Sequence, residues 1–317
     1  MLKNRILSTL KFFDLQDYPL TLLELRKFLI ADWESINQQT DRQGELATGA
    51  SENPEQVSLE GLAACLDNEL KGAVQNDLGF YHLPGKQALV RERLKNYLYG
   101  IKREKLISRY SWILRHVPFV RGAALGGSQA MGLQKPGSDI DLFIITDPRH
   151  MWLARTLVTV VFQFLGKRRY GQKIANRFCL NHYVAGPKVL RQIRTLYSAM
   201  EYGRLRPLVY GQQLLVYQQN NRPWINVFFP NWQPVSGGFE SQSYLQKILE
   251  KLLHNGLGRT LENLFKSWQL PKIKKSKFII VEDDELSFHP DSKQENLLEG
   301  FFEFQEQQQR VPAEPVG

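Results

Sequence analysis

The sequence contains very little cysteine: Cys65 and Cys179 are the only two among 317 residues, and they lie far apart. Two isolated cysteines exclude a disulfide framework, and no spacing typical of a zinc site is present. Long apolar runs are also absent, because the most apolar stretch, 152–165, contains Arg155 and Gln163. That stretch is too short to cross a bilayer and predicts a buried helix. The sequence therefore argues against a disulfide-stapled domain, a zinc finger and a membrane-spanning protein.

A signal peptide is not expected either, because the start of the chain leads into an amphipathic stretch that includes Lys11 and Asp14. No internal repeat is present, and the predicted location is the cytoplasm. Hydrophobic residues make up 43% of the chain, which is enough to build real cores, and the formal net charge is +9. An excess of positive charge favours an acidic partner: nucleic acid, a nucleotide phosphate or an acidic protein face.

Helix signals dominate the first part of the chain. Apolar residues recur with a helical period over 2–14. Thr21 and Glu24 have the spacing of a capping box, which predicts a second helix from about residue 22 to 30. The stretch 34–56 is polar and poor in large apolar residues, so it is predicted to be a mobile loop.

A third helix and a hairpin complete this N-terminal pattern. Ser58 caps a predicted helix at 59–71, and a strand at 79–83, a Pro-Gly turn and a further short strand predict a hairpin. Three helices followed by a hairpin is the order of a winged helix. The segment FFDLQDYPLTLLELRKFL resembles the opening of winged-helix domains attached to some bacterial nucleotidyltransferase-like proteins, which implies a winged-helix-like domain over 1–90.

Binding of DNA by this domain is not expected. The helix that would enter the groove carries Glu60, Asp67 and Glu69 against only Lys71. DNA phosphates repel an acidic face. Protein docking or internal packing is the preferred interpretation of the domain.

The stretch 88–116 is predicted to form one or two basic amphipathic helices. Two interpretations of its charged side stay open, a solvated face and a nucleic-acid surface. The predicted apolar stripe is Leu94, Leu98, Ile101, Leu106 and Ile113, and the cations around it are Lys95, Lys102, Arg103, Lys105, Arg109 and Arg115.

The texture changes to alternating strands and helices after residue 120. Strands are predicted at 120–125, 140–146 and 178–185, with the apolar helix at 149–165 between the last two. The rest is predicted to be mainly helical, with helices at 188–202, 207–219 and 243–268, a hairpin of 277–281 and 286–288 around an acidic turn, and a frayed end.

A site is predicted where the first two of these strands meet. Side chains on a strand alternate between faces, so Asp139 and Asp141 point the same way. Two adjacent carboxylates repel each other unless a cation lies between them, and such oxygen ligands suit Mg²⁺ or Mn²⁺. Gly126 and Gly127 let the backbone approach a phosphate closely, and Ser128 adds a hydroxyl donor.

This pattern resembles the signature of polymerase-beta-type nucleotidyltransferases: an apolar residue, Gly-Ser, roughly ten residues, and then Asp-apolar-Asp-apolar. The run from Gly127 to Gly132 also resembles the Gly-Ser-x-Ala-x-Gly form of the minimal members of that superfamily. The resemblance implies transfer of a nucleoside monophosphate from NTP, with Asp139 and Asp141 holding the metal and Gly126, Gly127 and Ser128 binding phosphate.

The third carboxylate of that family is not found where the resemblance places it. The aligned position on the 178–185 strand is Asn181, which carries no charge and is a poor general base. His182 is expected on the opposite strand face and is interpreted as structural. Glu201, from the following helical region, is the candidate acid or base. Either the enzyme works with two aspartates and Glu201, or the protein binds nucleotide without transferring it.

The remaining predicted substrate contacts are Ser138, beside the aspartate pair, and Lys173, in the basic segment between the apolar helix and the third strand. The predicted partners are NTP and an acceptor that is protein, RNA or a small molecule, with no membrane. The predicted fold class is α+β: a winged-helix-like domain at 1–90, a nucleotidyltransferase core with a short mixed sheet at 91–187, a helical region at 188–304 and a flexible tail at 305–317.

Overall fold

A computed structural model describes the protein over residues 1–41, 44–47, 55–190, 194–235, 237–238, 240–254, 256–273, 280–282, 284–287 and 291–310. Part of the predicted loop, 48–54, and the last part of the predicted tail, 311–317, lie outside these ranges. The fold is a mixed α+β arrangement, as predicted.

The N-terminal region contains short helices around a small sheet. The helices are α1 (Leu2–Asp14), α2 (Leu22–Lys27), α3 (Trp33–Gln39) and α4 (Leu59–Asn68). The strands are β1 (Leu20–Thr21), β2 (Gln75–Asp77) and β3 (Phe80–His82), and they form a three-stranded sheet in the order β1-β3-β2.

Two local predictions for this region are confirmed and two are wrong. The capping box forms, because Thr21 accepts a hydrogen bond from the Glu24 amide while Glu24 reaches back to the Thr21 amide, and Ser58 caps α4. The predicted loop contains α3, which Asp32 caps. The hairpin joins β2 to β3 through a turn at Gly79, whereas the Pro-Gly pair after β3 leads into a helix.

The central feature is a six-stranded mixed sheet in the order β7-β4-β5-β6-β9-β8. Its strands are β4 (Val120–Leu125), β5 (Ile140–Thr146), β6 (Phe178–Ala185), β7 (Arg206–Val209), β8 (Ile280–Val281) and β9 (Glu285–Ser287). β5 and β6 are parallel, and all other neighbouring pairs are antiparallel.

The helices that surround this sheet are α5 (Gln87–Ser111), α6 (Gly127–Met131), α7 (Met151–Phe164), α8 (Leu196–Gly203), α9 (Gly211–Phe228), α10 (Tyr244–Leu253), α11 (Gly256–Ile273) and α12 (Asp291–Arg310). The single predicted helix at 243–268 is therefore two helices, and α12 continues into the predicted tail. β7 comes from a stretch that was predicted to be helical, so one sheet continues across residue 187. β8 and β9 pair antiparallel where the hairpin of 277–281 and 286–288 was predicted, although 277–279 and 288 lie outside the described residues.

The two faces of β5 pack into two different hydrophobic clusters. Ile140, Leu142 and Ile144 are fully buried as predicted, in a cluster that includes α7 and α11 residues. Phe143 and Ile145 lie on the other face, in the cluster built by the N-terminal helices, α8, α9 and α12. The sheet is thus covered on both sides, and polar side chains at the end of β5 are held between two packed layers.

The N-terminal region packs directly on this second layer. The Ala31 amide donates to the Phe228 carbonyl oxygen at 2.9 Å, and the rings of Phe12 and Phe301 meet edge to face at 5.4 Å. Among the described residues, no helix is both long and apolar enough to cross a membrane.

The buried face of α5 differs from the prediction. Leu98 is 62% exposed and Ile101 is 50% exposed, so neither belongs to a buried stripe. The buried residues are instead Val90, Asn96, Gly100, Arg103, Ile107 and Ser111. The apolar pattern failed here because the helix buries small and polar residues toward the turn that precedes β5.

Candidate active site

The Gly-Gly turn between β4 and α6 lies against the end of β5. The Gly126 amide donates to the Asp141 carbonyl oxygen at 3.0 Å, and Gly127 has a φ of +54°. A Cβ atom on Gly127 would lie only 2.2 Å from Asp141 Oδ2. Two features therefore require glycine at position 127: the left-handed backbone conformation and the close approach of the Asp141 carboxylate.

Asp139 and Asp141 face the same space, as strand alternation predicts, and a third side chain joins them. Carboxylate oxygens of both aspartates and the Sγ atom of Cys179 all lie within 4.8 Å of one another. β6 runs beside β5 with Cys179 directly opposite Asp141. Burial, followed by the charges of Asp141 and Asp139, raises the pKa of the Cys179 thiol to about 12. These three side chains form a donor set that fits a divalent cation.

A bulge in β6 changes which side chains face this space. Asp141 pairs with Cys179, whereas Phe143 pairs with His182. The step between these two pairs is two residues in β5 and three in β6, which is a β-bulge in β6. The ring of His182 packs 4.7 Å from that of Phe143, on the same face as Asp141. The prediction that His182 faces away is therefore wrong, because it assumed strict alternation along β6.

Arg103 of α5 holds the turn that leads into β5. Its guanidinium donates to Ser138 Oγ at 2.9 Å, to the Ser138 carbonyl oxygen at 3.0 Å and to the Asp139 carbonyl oxygen at 2.9 Å. Arg103 is only 3% exposed. A buried guanidinium with several fixed acceptors orients the backbone of the aspartate pair. Arg103 is thus not one of the surface cations predicted for this helix.

A second arginine approaches the same donors from the loop before β6. Arg169 Nη1 lies 2.5 Å from Asp139 Oδ2 and 3.4 Å from Cys179 Sγ. The loop follows β6 closely, since the Arg169 amide donates to the Phe178 carbonyl oxygen at 2.9 Å. One positive charge therefore lies on the site between a carboxylate and the thiol.

A small, partly open cleft lies between the turn, the aspartate strand and α8. Gly127, Asp141, His182, Glu201 and Tyr202 are among the residues that line it. The structure thus brings Glu201 to the same cleft as the second aspartate, although the two are 60 residues apart in sequence.

Glu201 is also linked to a half-buried tyrosine. The Tyr197 hydroxyl donates to Glu201 Oε1 at 3.5 Å. Burial and then the charge of Glu201 raise the pKa of Tyr197, and Asp141 adds to the same effect. Both Glu201 of α8 and Asp141 of β5 are therefore close enough to act on Tyr197.

The other predicted contacts lie in different surroundings. Ser128 is half-buried in the first turn of α6. The Ser138 hydroxyl is held between Arg103 and the Lys135 carbonyl oxygen. Lys173 is exposed, with its Nζ atom 5.3 Å from the centre of the Tyr170 ring. The side chain of Asn181 lies outside the described part of the chain.

Sequence reasoning missed Cys179, Arg103 and Arg169 as members of the site. Cys179 lies two residues before Asn181, so the correct strand was identified but the bulge was not foreseen. The signal for Arg103 was its helical spacing from Gly100 and Ile107, because all three share the buried face of α5. Arg169 belongs to the basic run 167–169, and the sequence of that run does not indicate which of its side chains turns toward the site.

Comparison with known protein families gives a match over part of the chain. Residues 104–176 match the model of a family described as the nucleotidyltransferase domain. No curated protein and no solved structure gives a significant match to the chain. The match confirms the predicted polymerase-beta-type nucleotidyltransferase domain. It includes the Gly-Gly turn and both aspartates, and it ends before β6.

Proposed function

We propose that the nucleotidyltransferase domain of this chain transfers a nucleoside monophosphate from NTP to an acceptor with release of pyrophosphate. The observation that supports the proposal is the close approach of Gly127 to Asp141. The turn that we propose to bind phosphate lies against a carboxylate that we propose to bind metal. Phosphoryl transfer needs little more from a protein than positioned phosphates, a divalent cation and an oriented acceptor.

Each part of the site has a role in this proposal. Asp139 and Asp141 hold the cation, for which Mg²⁺ or Mn²⁺ is the prediction, while Gly126, Gly127 and Ser128 bind phosphate. When bound, the cation neutralises the charge that develops on the phosphate oxygens. Arg103 fixes the backbone at Ser138 and Asp139, so that both carboxylates keep their direction when substrate enters. Lys173 remains a proposed contact of the NTP or of an acidic acceptor.

Glu201 is the proposed base. It lines the cleft that Gly127 and Asp141 also line, where an acceptor hydroxyl or amine would approach the phosphate. A positioned base that removes the acceptor proton contributes roughly 10²–10⁴-fold to the rate. Asn181 is the alternative position, and its neutral amide favours a second candidate function: a protein that binds nucleotide without transferring it.

The first test is nucleotide binding by calorimetry with and without EDTA. We expect NTP to bind only when a divalent cation is present, because the turn supplies backbone amides but the carboxylates repel the phosphates. Equal affinity in both buffers would contradict the metal role of the aspartates.

The second test separates the two candidate functions. Wild type, Glu201→Gln and Asn181→Asp are incubated with each radiolabelled NTP, Mg²⁺ or Mn²⁺, and a cell extract. An active enzyme that uses Glu201 loses transfer in Glu201→Gln and changes little in Asn181→Asp. A gain of activity in Asn181→Asp would assign the missing carboxylate to β6. Bound NTP with no transfer by any of the three proteins would support the binding protein.

We also propose that residues 1–90 are a winged-helix-like domain used for protein docking or packing, and not for binding DNA. The acidic face of α4, with Glu60, Asp67 and Glu69, supports this, as does the contact of Ala31 with α9. The helical region at 188–304 is proposed to close over the nucleotide through α8.

A further inference from the structure

Cys179 is the donor that the aspartate pattern does not explain. Its sulfur lies within 4.8 Å of carboxylate oxygens from both aspartates, and strand pairing fixes it opposite Asp141. The other cysteine, Cys65, is buried in α4, far along the chain from the site. The two cysteines therefore provide a thiol inside the site and a matched thiol outside it.

The contact of Arg169 shows that a cation is attracted to this sulfur together with a carboxylate. The same guanidinium nitrogen meets Asp139 Oδ2 at 2.5 Å and Cys179 Sγ at 3.4 Å. The bulge in β6 supports this arrangement, because it lets Cys179 face the aspartates while His182 still faces the cleft. A positive charge placed there contacts sulfur as well as oxygen.

Donor chemistry then decides which cation fits best. Mg²⁺ takes oxygen ligands and loses its waters reluctantly, whereas thiolate ligands favour softer cations. Two carboxylates alone do not distinguish Mg²⁺ from Mn²⁺, because both cations bind oxygen ligands. A sulfur as the third donor favours the later divalent cations of the first transition series, such as Co²⁺ and Zn²⁺.

We propose that Cys179 is the third protein ligand of the cation held by Asp139 and Asp141, so that the site selects Co²⁺ or Zn²⁺ over Mg²⁺. This inference rests on the proposed function, because it assigns the cation of the same site. On binding, the S–H bond breaks, a sulfur–metal bond forms and the proton is released to solvent. In the same step the contact between the Arg169 guanidinium and the Cys179 sulfur is lost.

The experiment is a titration of the metal-free protein with Co²⁺, followed by absorption spectroscopy. A Co²⁺–thiolate bond gives a ligand-to-metal charge-transfer band in the near ultraviolet, which carboxylate ligands do not give. Wild type is compared with Cys179→Ser, Cys179→Asp and the matched control Cys65→Ser. Competition with Mg²⁺ and Zn²⁺ then ranks the cations, and circular dichroism checks that each variant is folded.

We expect the band in wild type and in Cys65→Ser, and its loss in both Cys179 variants. Co²⁺ affinity should fall in Cys179→Ser by at least the ~10–100-fold that the loss of a supporting group costs at metal sites. Cys179→Asp should bind Mg²⁺ more tightly than wild type does, because it replaces sulfur with carboxylate oxygen.

Two results would overturn the inference. One is Co²⁺ binding to wild type without a charge-transfer band, and the other is unchanged Co²⁺ affinity in Cys179→Ser. Failure of the proposed function has a different outcome: wild type would then bind NTP equally well with and without EDTA. If metal-dependent NTP binding persists while the band is absent, only the assignment of Cys179 is wrong.

Discussion

Two groups of carboxylates lie at opposite ends of the sheet layer and have very different surroundings. Glu250 of α10 accepts the Phe119 amide at 2.7 Å and the Arg121 guanidinium through both of its oxygens, at 2.6 and 3.1 Å. Glu262 of α11 accepts the amides of Trp152 and Leu153 at 2.9 and 2.7 Å. These carboxylates fasten α10 and α11 to the core.

The aspartate pair has different surroundings. Asp139 accepts a guanidinium from an exposed loop, and Asp141 lies against a glycine at the wall of the cleft. The buried donor nearby, Arg103, binds the carbonyl oxygens of Ser138 and Asp139 and so orients the backbone of this turn. Glu250 and Glu262 thus join helices to the core, whereas Asp139 and Asp141 lie together with Cys179 beside the Gly-Gly turn.

The largest effect is expected from changing the site pair itself. In Asp139→Asn/Asp141→Asn, metal-dependent NTP binding should fall by at least ~100-fold, because both anionic ligands are lost. The melting temperature should stay the same or rise, since the change removes repulsion between two neighbouring charges. Calorimetry and thermal unfolding measure the two effects, and a large fall in melting temperature would mean that the pair is structural.

The opposite result is expected from Glu250→Ala. This change leaves the Phe119 amide and the Arg121 guanidinium without their shared acceptor, which should lower the free energy of unfolding by about 2–3 kcal/mol. Metal affinity of the folded protein should not change, since Glu250 does not line the cleft. Denaturant unfolding tests this prediction, and unchanged stability would remove the distinction between the two groups.

Gly127→Ala tests the contact on which the proposed function depends. The left-handed backbone should cost roughly 1–3 kcal/mol, and the added Cβ should push Asp141 aside and weaken metal-dependent NTP binding. Gly132→Ala is the matched control, because Gly132 has a φ of +73° but no atom within 4 Å of its Cβ position. If both variants bind NTP equally, the contact with Asp141 has no role.

The smallest effect is expected from Arg169→Ala. Arg169 contacts the Asp139 oxygen and the Cys179 sulfur that are proposed to bind the cation, so its removal should tighten divalent-cation binding by a few-fold. The change is small because an exposed ion pair contributes only about 0.2–1 kcal/mol. Arg168→Ala removes the same charge from the neighbouring position and serves as the control. A loss of cation affinity specific to Arg169→Ala would show that this arginine supports the site instead of competing for it.

Sequence patterns predicted the elements whose signal is local. The bounds of β4, β5 and β6 agree with the predicted strands, and the capping box that starts α2 was predicted from Thr21 and Glu24. The common direction of Asp139 and Asp141 followed from alternation along one regular strand. These features depend on neighbours within a few residues, which the sequence displays directly.

The features that were missed depend on distant contacts. β7 is short and contains Pro207, and it is a strand only because β4 offers it an edge. Arg103 is buried because the turn before β5 supplies three oxygen acceptors, and a helical pattern of apolar residues gives no sign of that. The bulge in β6 results from pairing with β5, so the sequence of β6 alone did not reveal it.

The bulge in β6 determines to which face of the sheet each side chain after it points. Cys179 and His182 are three residues apart, yet Cys179 faces the aspartates and His182 lines the cleft, because one additional residue lies between the two pairing steps. A deletion of a single residue there would restore strict alternation and turn one of these side chains to the other face of the sheet. The length of this strand, as much as its composition, therefore determines which atoms the site offers to a cation. Two related proteins that differ only by one residue in the length of this strand would present different side chains to the metal, without any substitution.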